Sequence, residues 1–599
     1  MRYWVDTNPP ASALRAWYPL PPMRDSDDPK IEETPSDTAA PQDASSGPPA
    51  SSADVLEANA LEKVAATLET LEAIASDHTL LATLDEETKR RLQVAAGRIS
   101  RPGRNQRKAL RRMRERNERV ARKQRDDDLL RKTGIREGQA DNVFQTPNAT
   151  VALPMSIRKS RALGRQPHRP APVEPPAFGP TGNYESPPAT DAIVERSGST
   201  DQHKGPRLLD PRNCYVCKQD FFELHSFYAS MCPRCADFNW LKRIQTADLT
   251  GRVALVTGGR IKIGYQSAIK LLRAGAHVIV STRFPRDAAT RFANEIDFGE
   301  WSDRVEIHGL DLRHTPSVEA FTRQLQQQHS RLDFILNNAC QTVRRPPSFY
   351  AHMIDKEEAP ASQLPKIEQQ LLRGTAADNH SASPLAGLLP NQAQWREGLD
   401  RAASLSQIPM TPDDHNTDPT LFPAGKLDQD LQQIDLRQKN SWRLALDEVP
   451  SVELLEVHLV NAVAPFILNA RLKELMLRTP GREKHIVNVS AMEGQFYRTF
   501  KTDKHPHTNM AKASLNMLTR TSAPDYIKDG IHMNSVDTGW ITDEDPAEIA
   551  ERKTEEHGFH PPLDIVDAAA RICDPILSGI NLGSHVWGQF LKDYGPTDW

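Results

Sequence analysis

Apolar residues recur with a clear period in only parts of this chain. Leu61, Val64, Leu68 and Leu71 follow at three-four-three spacing, which predicts an amphipathic helix over 54–76, with Asp54 and Glu57 as a capping pair. That stripe is about two heptads long, too short to stand alone in water. It therefore needs cover, either from a second helix predicted over 84–97 or from an oligomeric partner. Residues 104–132 read as a third helix that has no apolar face.

A different pattern begins near Leu249. An apolar strand, Val253–Val256, enters a glycine-containing turn, an amphipathic helix follows, and a second strand runs over His277–Ser281. This is a βαβ unit, and the exposed N–H groups at its helix N-terminus can receive a pyrophosphate.

Proline punctuation separates the patterned regions. Of 46 prolines, 22 fall in positions 1–210 and 11 in 346–450, so roughly 300 of the 599 residues look foldable and the rest reads as linker or disorder. The net charge of −4 excludes a uniformly basic nucleic-acid binder but not a local patch. Such a patch exists, since Arg98–Arg125 holds thirteen Lys or Arg against two Glu. A helix of this kind could track phosphates, yet it lacks any aromatic residue for base stacking. A solvated or targeting arm is the favoured reading, and nucleic acid the disfavoured one. No apolar run reaches the length of a membrane span, and the N-terminus lacks the apolar core of a signal peptide. The expected location is therefore intracellular and cytoplasmic, away from membranes.

Four of the six cysteines form two CxxC pairs, Cys214 with Cys217 and Cys232 with Cys235, separated by fourteen residues. Each pair can place two thiolates on one tight knuckle, and two knuckles complete a tetrahedral shell around zinc. Four protein ligands leave no open position, which favours a structural role. Phe221, Phe222 and Phe227 could supply the small core of such a ribbon, while His225 and His308 read as ordinary residues rather than ligands.

Several segments in order carry a family resemblance: TGGRIKIG (Thr257–Gly264), LDL with Asp311, LDFILNNAC with Asn337, Asn338 and Ala339, VNAVAPF with Asn461, HTNMAKASLNMLTR with Lys512, and MNSVDTGWI with Gly539. From Leu249 onward the chain resembles the short-chain dehydrogenase/reductase family over roughly two-fifths of its length. The resemblance implies a doubly wound parallel α/β sheet of Rossmann type and a nicotinamide cofactor. It implies a cofactor site at Thr257, Gly258, Arg260, Lys262, Ile263, Gly264, Asp311, Leu312, Asn338, Ala339, Lys512 and Gly539. An NAD-preferring member usually carries an acid after the second strand. Here Thr282 and Arg283 stand there, and Arg260, Lys262 and Arg283 could surround a 2′-phosphate, so NADP(H) is expected over NAD(H).

The family pattern is broken in two places. Lys262 occupies the middle glycine of the turn. Thr508 stands where the family's proton-donating tyrosine belongs, and Ala491 where its serine usually falls, although Lys512 and Asn461 are kept. An aliphatic hydroxyl is a poor general acid or base. Candidate replacements are Ser490, one residue early, and Tyr497, His505 and His507, read as lying on a loop before the helix of Lys512. The catalytic set is thus Lys512, Asn461, Thr508 and Ser490, with the proton donor unassigned.

The resulting organisation is 1–205, Pro-rich and mostly disordered around the three helices; 206–246, a zinc-ribbon-like module; 247–345 with 450–599, the Rossmann domain; and 346–449, an insertion, partly disordered and placed as a substrate-side lid. The stretch LDQDLQQIDLRQKNSWRLALDEVP at its end reads as helical, Arg344, Arg345 and Trp442 are candidate substrate contacts, and Cys340 reads as a small buried residue. The expected activity is NADP(H)-dependent hydride transfer with a carbonyl or alcohol. The alternative is a degenerate NADP(H)-binding scaffold or sensor whose ribbon or N-terminal helices meet a protein partner. A homo-oligomer follows from the resemblance alone.

Overall fold

A computed structural model of the chain describes residues 52–141, 143–148, 205–372, 398–497, 501–542 and 544–599. Most of the Pro-rich stretches expected to be disordered, including the middle of the insertion, lie outside those residues. The chain divides into two compact units, residues 1–112 and 113–599.

The first unit holds α1 (Ser52–Ser76) and α2 (Glu86–Ser100), joined through a 3-10 turn at His78–Thr83. Asp77 accepts a hydrogen bond from Thr79 N–H and Asp85 one from Thr88 N–H, so each element starts on an acidic cap. On the apolar stripe of α1, Val64 and Leu68 are both more than half exposed and Leu71 is half-buried. Next comes α3 (Arg104–Arg131).

In the second unit, the end of α3 and the short α4 (Gly134–Ala140) bury Leu130 and Ile135 against a small module. That module pairs β1 (Arg207–Asn213) antiparallel with β2 (Asp220–Glu223) and is followed by α5 (Pro233–Ile244). Asp126 of α3 fastens it by accepting the N–H groups of Leu209 and Asp210 at 2.9 and 3.0 Å.

The remaining strands build one sheet: β3 (Val253–Thr257), β4 (His277–Thr282), β5 (Val305–Gly309), β6 (Phe334–Asn337), β7 (Lys484–Ser490), β8 (Ile531–Asp537), β9 (Phe590–Lys592) and β10 (Gly595–Thr597). Their order is 5-4-3-6-7-8-9-10, all parallel except the last, which closes the edge antiparallel to β9. Strands covered on both faces must be apolar throughout, and Val253–Val256, Val278–Val280 and Phe334–Leu336 are. One face is covered by α6 (Lys262–Arg273), α7 (Pro285–Ala293) and the C-terminal helix over Ile565–Leu582. The other face is covered by α8 (Thr315–Gln328) and the long helices of the second half. Chain order reverses between β3 and β6, the place where a doubly wound sheet opens a crevice.

The insertion contributes α9 (Pro347–Glu358), α10 (Lys366–Leu371) and α11 (Ala402–Ser406). Its final stretch is not the helix that its sequence suggests. Asp428 turns back to accept the N–H groups of Asp430 and Gln432, Leu431 sits at φ +57°, and only 3-10 turns at Ser441–Arg443 and Leu446–Glu448 follow. An aspartate that bonds its own downstream backbone competes with helix, which is the reason the apolar spacing misleads there.

After the insertion come α12 (Ser451–His458), a single π turn (Leu459–Val463), α13 (Ala464–Arg478), α14 (Pro506–Tyr526), α15 (Ala547–His557) and α16 (Ile565–Leu582). Ser451–Arg478 is the one helical run among the described residues long and apolar enough to cross a membrane, but Leu468, Leu472, Leu475 and Met476 on it are buried in the sheet's core.

Candidate functional site

A cleft of about 600 Å³ opens at the carboxyl ends of the strands. Its floor is the turn between β3 and α6. Gly258 has φ +67°, and a Cβ on it would lie 2.8 Å from Ala339 Cα. A Cβ on Gly264 would lie 2.3 Å from Asn338 Nδ2 and 2.4 Å from the Gly258 carbonyl. Both positions therefore need glycine, and the turn can present bare backbone to a ligand. Lys262, in place of the middle glycine, adopts the conformation that glycine would, φ +52°, and its Nζ points to Asp430 of the insertion at 3.8 Å. The lysine is thus turned toward the covering segment, not folded into the turn.

The side wall is dense in arginine. Arg283, just after β4, donates to Tyr350 Oη at 2.8 Å and lies over its ring. Burial raises the Tyr350 phenol, but Arg283, Arg345 and Arg260 outweigh it and leave the group below its ordinary range. Arg260 is itself buried, donating to Asp287 at 2.7 Å and to Gln432 at 3.0 Å. Arg313 holds Asp311 at 2.8 Å and Glu456 at 2.8 Å. Burial raises the Asp311 carboxyl, yet Arg313 keeps it below the usual carboxylate range.

The other expected cofactor residues separate into two groups. Ile263, Leu312, Asn338 and Ala339 line the cleft. Thr257 does not: its hydroxyl accepts the N–H groups of Asn338 and Ala339, each at 3.0 Å, and ties the end of β3 to that of β6. Gly539 also lies off the wall, packed on Leu563 and on the Tyr215 hydroxyl. Asn337 belongs to the interior, where its amide donates to Asn469 and Asn488 at 2.8 Å each.

Among the described residues the cleft wall includes none of Ser490, Thr508, Lys512 and Asn461. Lys512 is buried and donates to the Val489 carbonyl at 2.9 Å. Ser490 Oγ and Thr508 Oγ1 are buried without a hydrogen-bond partner among those residues. Asn461, on the π turn, accepts from Gln341 N–H at 2.8 Å and donates back to its carbonyl at 3.1 Å. His507 is not on a loop but in the first turn of α14, buried, with Nε2 3.5 Å from Glu453. His505 caps that helix and stacks on Trp442 at 3.8 Å, while Tyr497 is 86% exposed. The loop expected here is shorter because Pro506 starts the helix early.

Arg344 and Arg345 do reach the cleft, held by Asp414 and Glu456 and by Asp435 respectively. Cys340, expected to be buried, is exposed there and 3.6 Å from Thr342 Oγ1, because the turn after β6 faces the opening. Tyr350, Gln432 and Glu456 were not legible as site residues, since no local motif marks them and the chain brings them in from the insertion and beyond.

The four cysteines converge: their Sγ atoms all lie within 4.8 Å of one another, with Cys217 and Cys232 3.7 Å apart. Metal–sulfur bonds of about 2.3 Å in a tetrahedron require sulfur spacings of about 3.8 Å, so this set fits a tetrahedral thiolate site. The Cys235 thiol bonded to Cys214 draws the latter down to about 4, whereas burial holds Cys232 up at about 11. His225 spends Nδ1 on the N–H groups of Phe227 and Tyr228, and His308 lies against Glu306, so neither joins the set.

This geometry agrees with comparisons to known proteins. Residues 252–357 match the short chain dehydrogenase family model, and residues 438–563 match a second, described as enoyl-(acyl carrier protein) reductase. The two matches flank the insertion. Over these two stretches the chain carries the sequence of the short-chain dehydrogenase/reductase family of oxidoreductases. An uncharacterized protein, R665, of Acanthamoeba polyphaga mimivirus is 29% identical over 379 residues, 61% of this chain and 71% of that one. Dehydrogenase/reductase SDR family member 13 of Bos taurus is 34% identical over 104 residues, 17% of this chain and 27% of the bovine one. The chain thus spans under a third of the length of that dehydrogenase relative. The solved structure of an NADPH-bound carbonyl reductase from chicken fatty liver aligns with a TM-score of 0.35 at 15% identity, over 59% of this chain and 100% of that one.

Proposed function

We propose that this chain is an NADP(H)-dependent oxidoreductase that transfers hydride between nicotinamide and a carbonyl or alcohol substrate. The observation that carries the cofactor reading is Arg283 at the end of β4, beside Tyr350 and Arg260, where an NAD-preferring site would hold an acid. The next carboxylate along the chain, Asp287, is spent on Arg260 at 2.7 Å and Arg291 at 2.8 Å and is not free for a ribose. The bound cofactor would supply the hydride. Arg283 would hold its 2′-phosphate, and the glycine turn would admit its pyrophosphate to the N-terminus of α6. Zn²⁺ at Cys214, Cys217, Cys232 and Cys235 would be structural, since four thiolates leave it no open position.

A second reading is favoured by one observation: Ser490, Thr508 and Lys512 lie off the cleft, and Lys512 is engaged by a backbone carbonyl. On that reading the chain binds NADP(H) without turnover, as a scaffold or sensor with the ribbon as its protein-interaction module. Titration with NADPH and NADH tests the cofactor site. Arg283→Ala is expected to weaken NADPH about 10- to 100-fold, the worth of one charge-assisted pair, and to leave NADH nearly unchanged. Equal loss for both nucleotides would remove the 2′-phosphate assignment. Turnover lost in Lys512→Ala with NADPH binding kept would support the enzyme; no turnover in the intact chain across carbonyl substrates would support the scaffold.

A further inference from the structure

At the end of the sheet opposite the cleft, three histidines converge. His485 and His532 are the second residues of β7 and β8, register partners in the parallel pairing, and their rings stack with centroids 5.1 Å apart. His585, in the loop between α16 and β9, brings Nδ1 to 2.9 Å from His485 Nε2. One ring nitrogen of each lies within 4.8 Å of the other two.

Simple packing does not explain this trio. Paired positions on the inner strands of a covered parallel sheet normally hold apolar residues, as Val278, Ala254 and Phe334 do at the same level. His485 is fully buried, and its Nδ1 has no hydrogen-bond partner among the described residues. His532 has Nδ1 3.1 Å from the Lys484 carbonyl. A carbonyl only accepts, so Nδ1 carries the proton and Nε2 keeps its lone pair. A backbone carbonyl orienting an imidazole in this way is the usual outer support of a metal ligand. Space for the group comes from Gly579 on α16, where a Cβ would fall 2.4 Å from His585 Nδ1 and 3.3 Å from His485 Cε1.

We propose that His485, His532 and His585 form a second metal site, separate from the four cysteines, for a first-row divalent cation that prefers imidazole, Zn²⁺ foremost. Metal–nitrogen bonds of about 2.0–2.1 Å place tetrahedral nitrogens about 3.4 Å apart. The observed separations, 2.9 Å between His485 Nε2 and His585 Nδ1 and at most 4.8 Å within the set, bracket that value. The fourth position is left to water on the side of the half-buried His585, an arrangement open to exchange.

The test uses the full chain, freed of any affinity tag, loaded with Zn²⁺ and dialysed. His585→Asn is expected to lose one zinc per chain, and Cys217→Ser to lose a different one, so that each variant keeps what the other gives up. No loss in His585→Asn overturns the proposal, whatever the total. Should His585→Asn unfold, as judged by circular dichroism, wild-type protein whose thiols are already filled with zinc is titrated with Cu²⁺ and read by electron paramagnetic resonance. Coupling to three imidazole nitrogens at one equivalent supports the site. Copper bound with fewer nitrogens, or not bound, leaves the trio a hydrogen-bonded stack and overturns it.

Discussion

Single residues decide how much of the cleft is backbone. Gly264 is held between Asn338 and the Gly258 carbonyl so closely that even a methyl group has no place. Gly264→Ala is expected to cost about 2 kcal/mol or more and to abolish nucleotide binding, because the obstacle is backbone that cannot step aside. Gly299→Ala, where nothing lies within 4 Å of the added Cβ, is the matched control and should stay within about 0.5 kcal/mol in urea unfolding. Residue-level reading of the sequence found this turn because glycines at fixed spacing between a strand and a helix have one physical use. It could not foresee Lys262 taking a glycine's backbone conformation, since the partner that receives its side chain, Asp430, is 168 positions away.

Among the elements, the insertion is the part that local pattern did not reveal. β3, β4 and α6 were legible from unbroken apolar runs and a helical period. The described part of the insertion is held instead by ion pairs made at long range: Arg344 with Asp414, Arg345 with Asp435, and Glu456 with both Arg344 and Arg313. One contact makes its seating depend on pH. Glu357, at the end of α9, accepts the N–H groups of Arg286 and Asp287 at 3.1 and 2.8 Å and so caps α7. Burial pushes its carboxyl from 4.5 up to about 7, against the pull of those two N–H groups. Folded Glu357 thus keeps its proton to about pH 7, while the unfolded chain releases it near 4.5. Folding takes up a proton across that window, and stability is fullest below it and declines as pH rises through it, by about 3 kcal/mol. Glu357→Gln should flatten this slope in melts taken from pH 4.5 to 7.5. An unchanged slope would assign the dependence elsewhere.

At the scale of the whole second unit, the ribbon is built into the α/β domain. Tyr228, Phe221 and Leu224 share one core with Ile541, Leu563 and Ile565. Arg243 of α5 lies buried between Asp564, at 2.6 and 2.7 Å, and Asp567, at 2.9 Å, and Tyr228 donates to Asp567 at 2.6 Å. Removing one partner of such a group strands a charge and costs about 3–5 kcal/mol. Stripping the cysteine site with a chelator should therefore lower the melting temperature of the entire unit in a single transition. Two transitions, with the α/β one unmoved, would show that the ribbon is independent. The four-cysteine spacing was legible in the sequence, but its fusion to α16 was not, because nothing in a CxxC pair names the surface it will rest on.

That fusion also has a consequence for how the chain is made. Tyr228 and Asp567 are 339 positions apart. At a synthesis rate of about 5–20 residues per second, roughly 20–70 s separate the emergence of one from that of the other. Throughout that interval the nascent ribbon carries an apolar face whose cover has not yet been translated. The ribosome delivers the ribbon before its seat, so the growing chain carries that uncovered surface until residues 541–568 have followed.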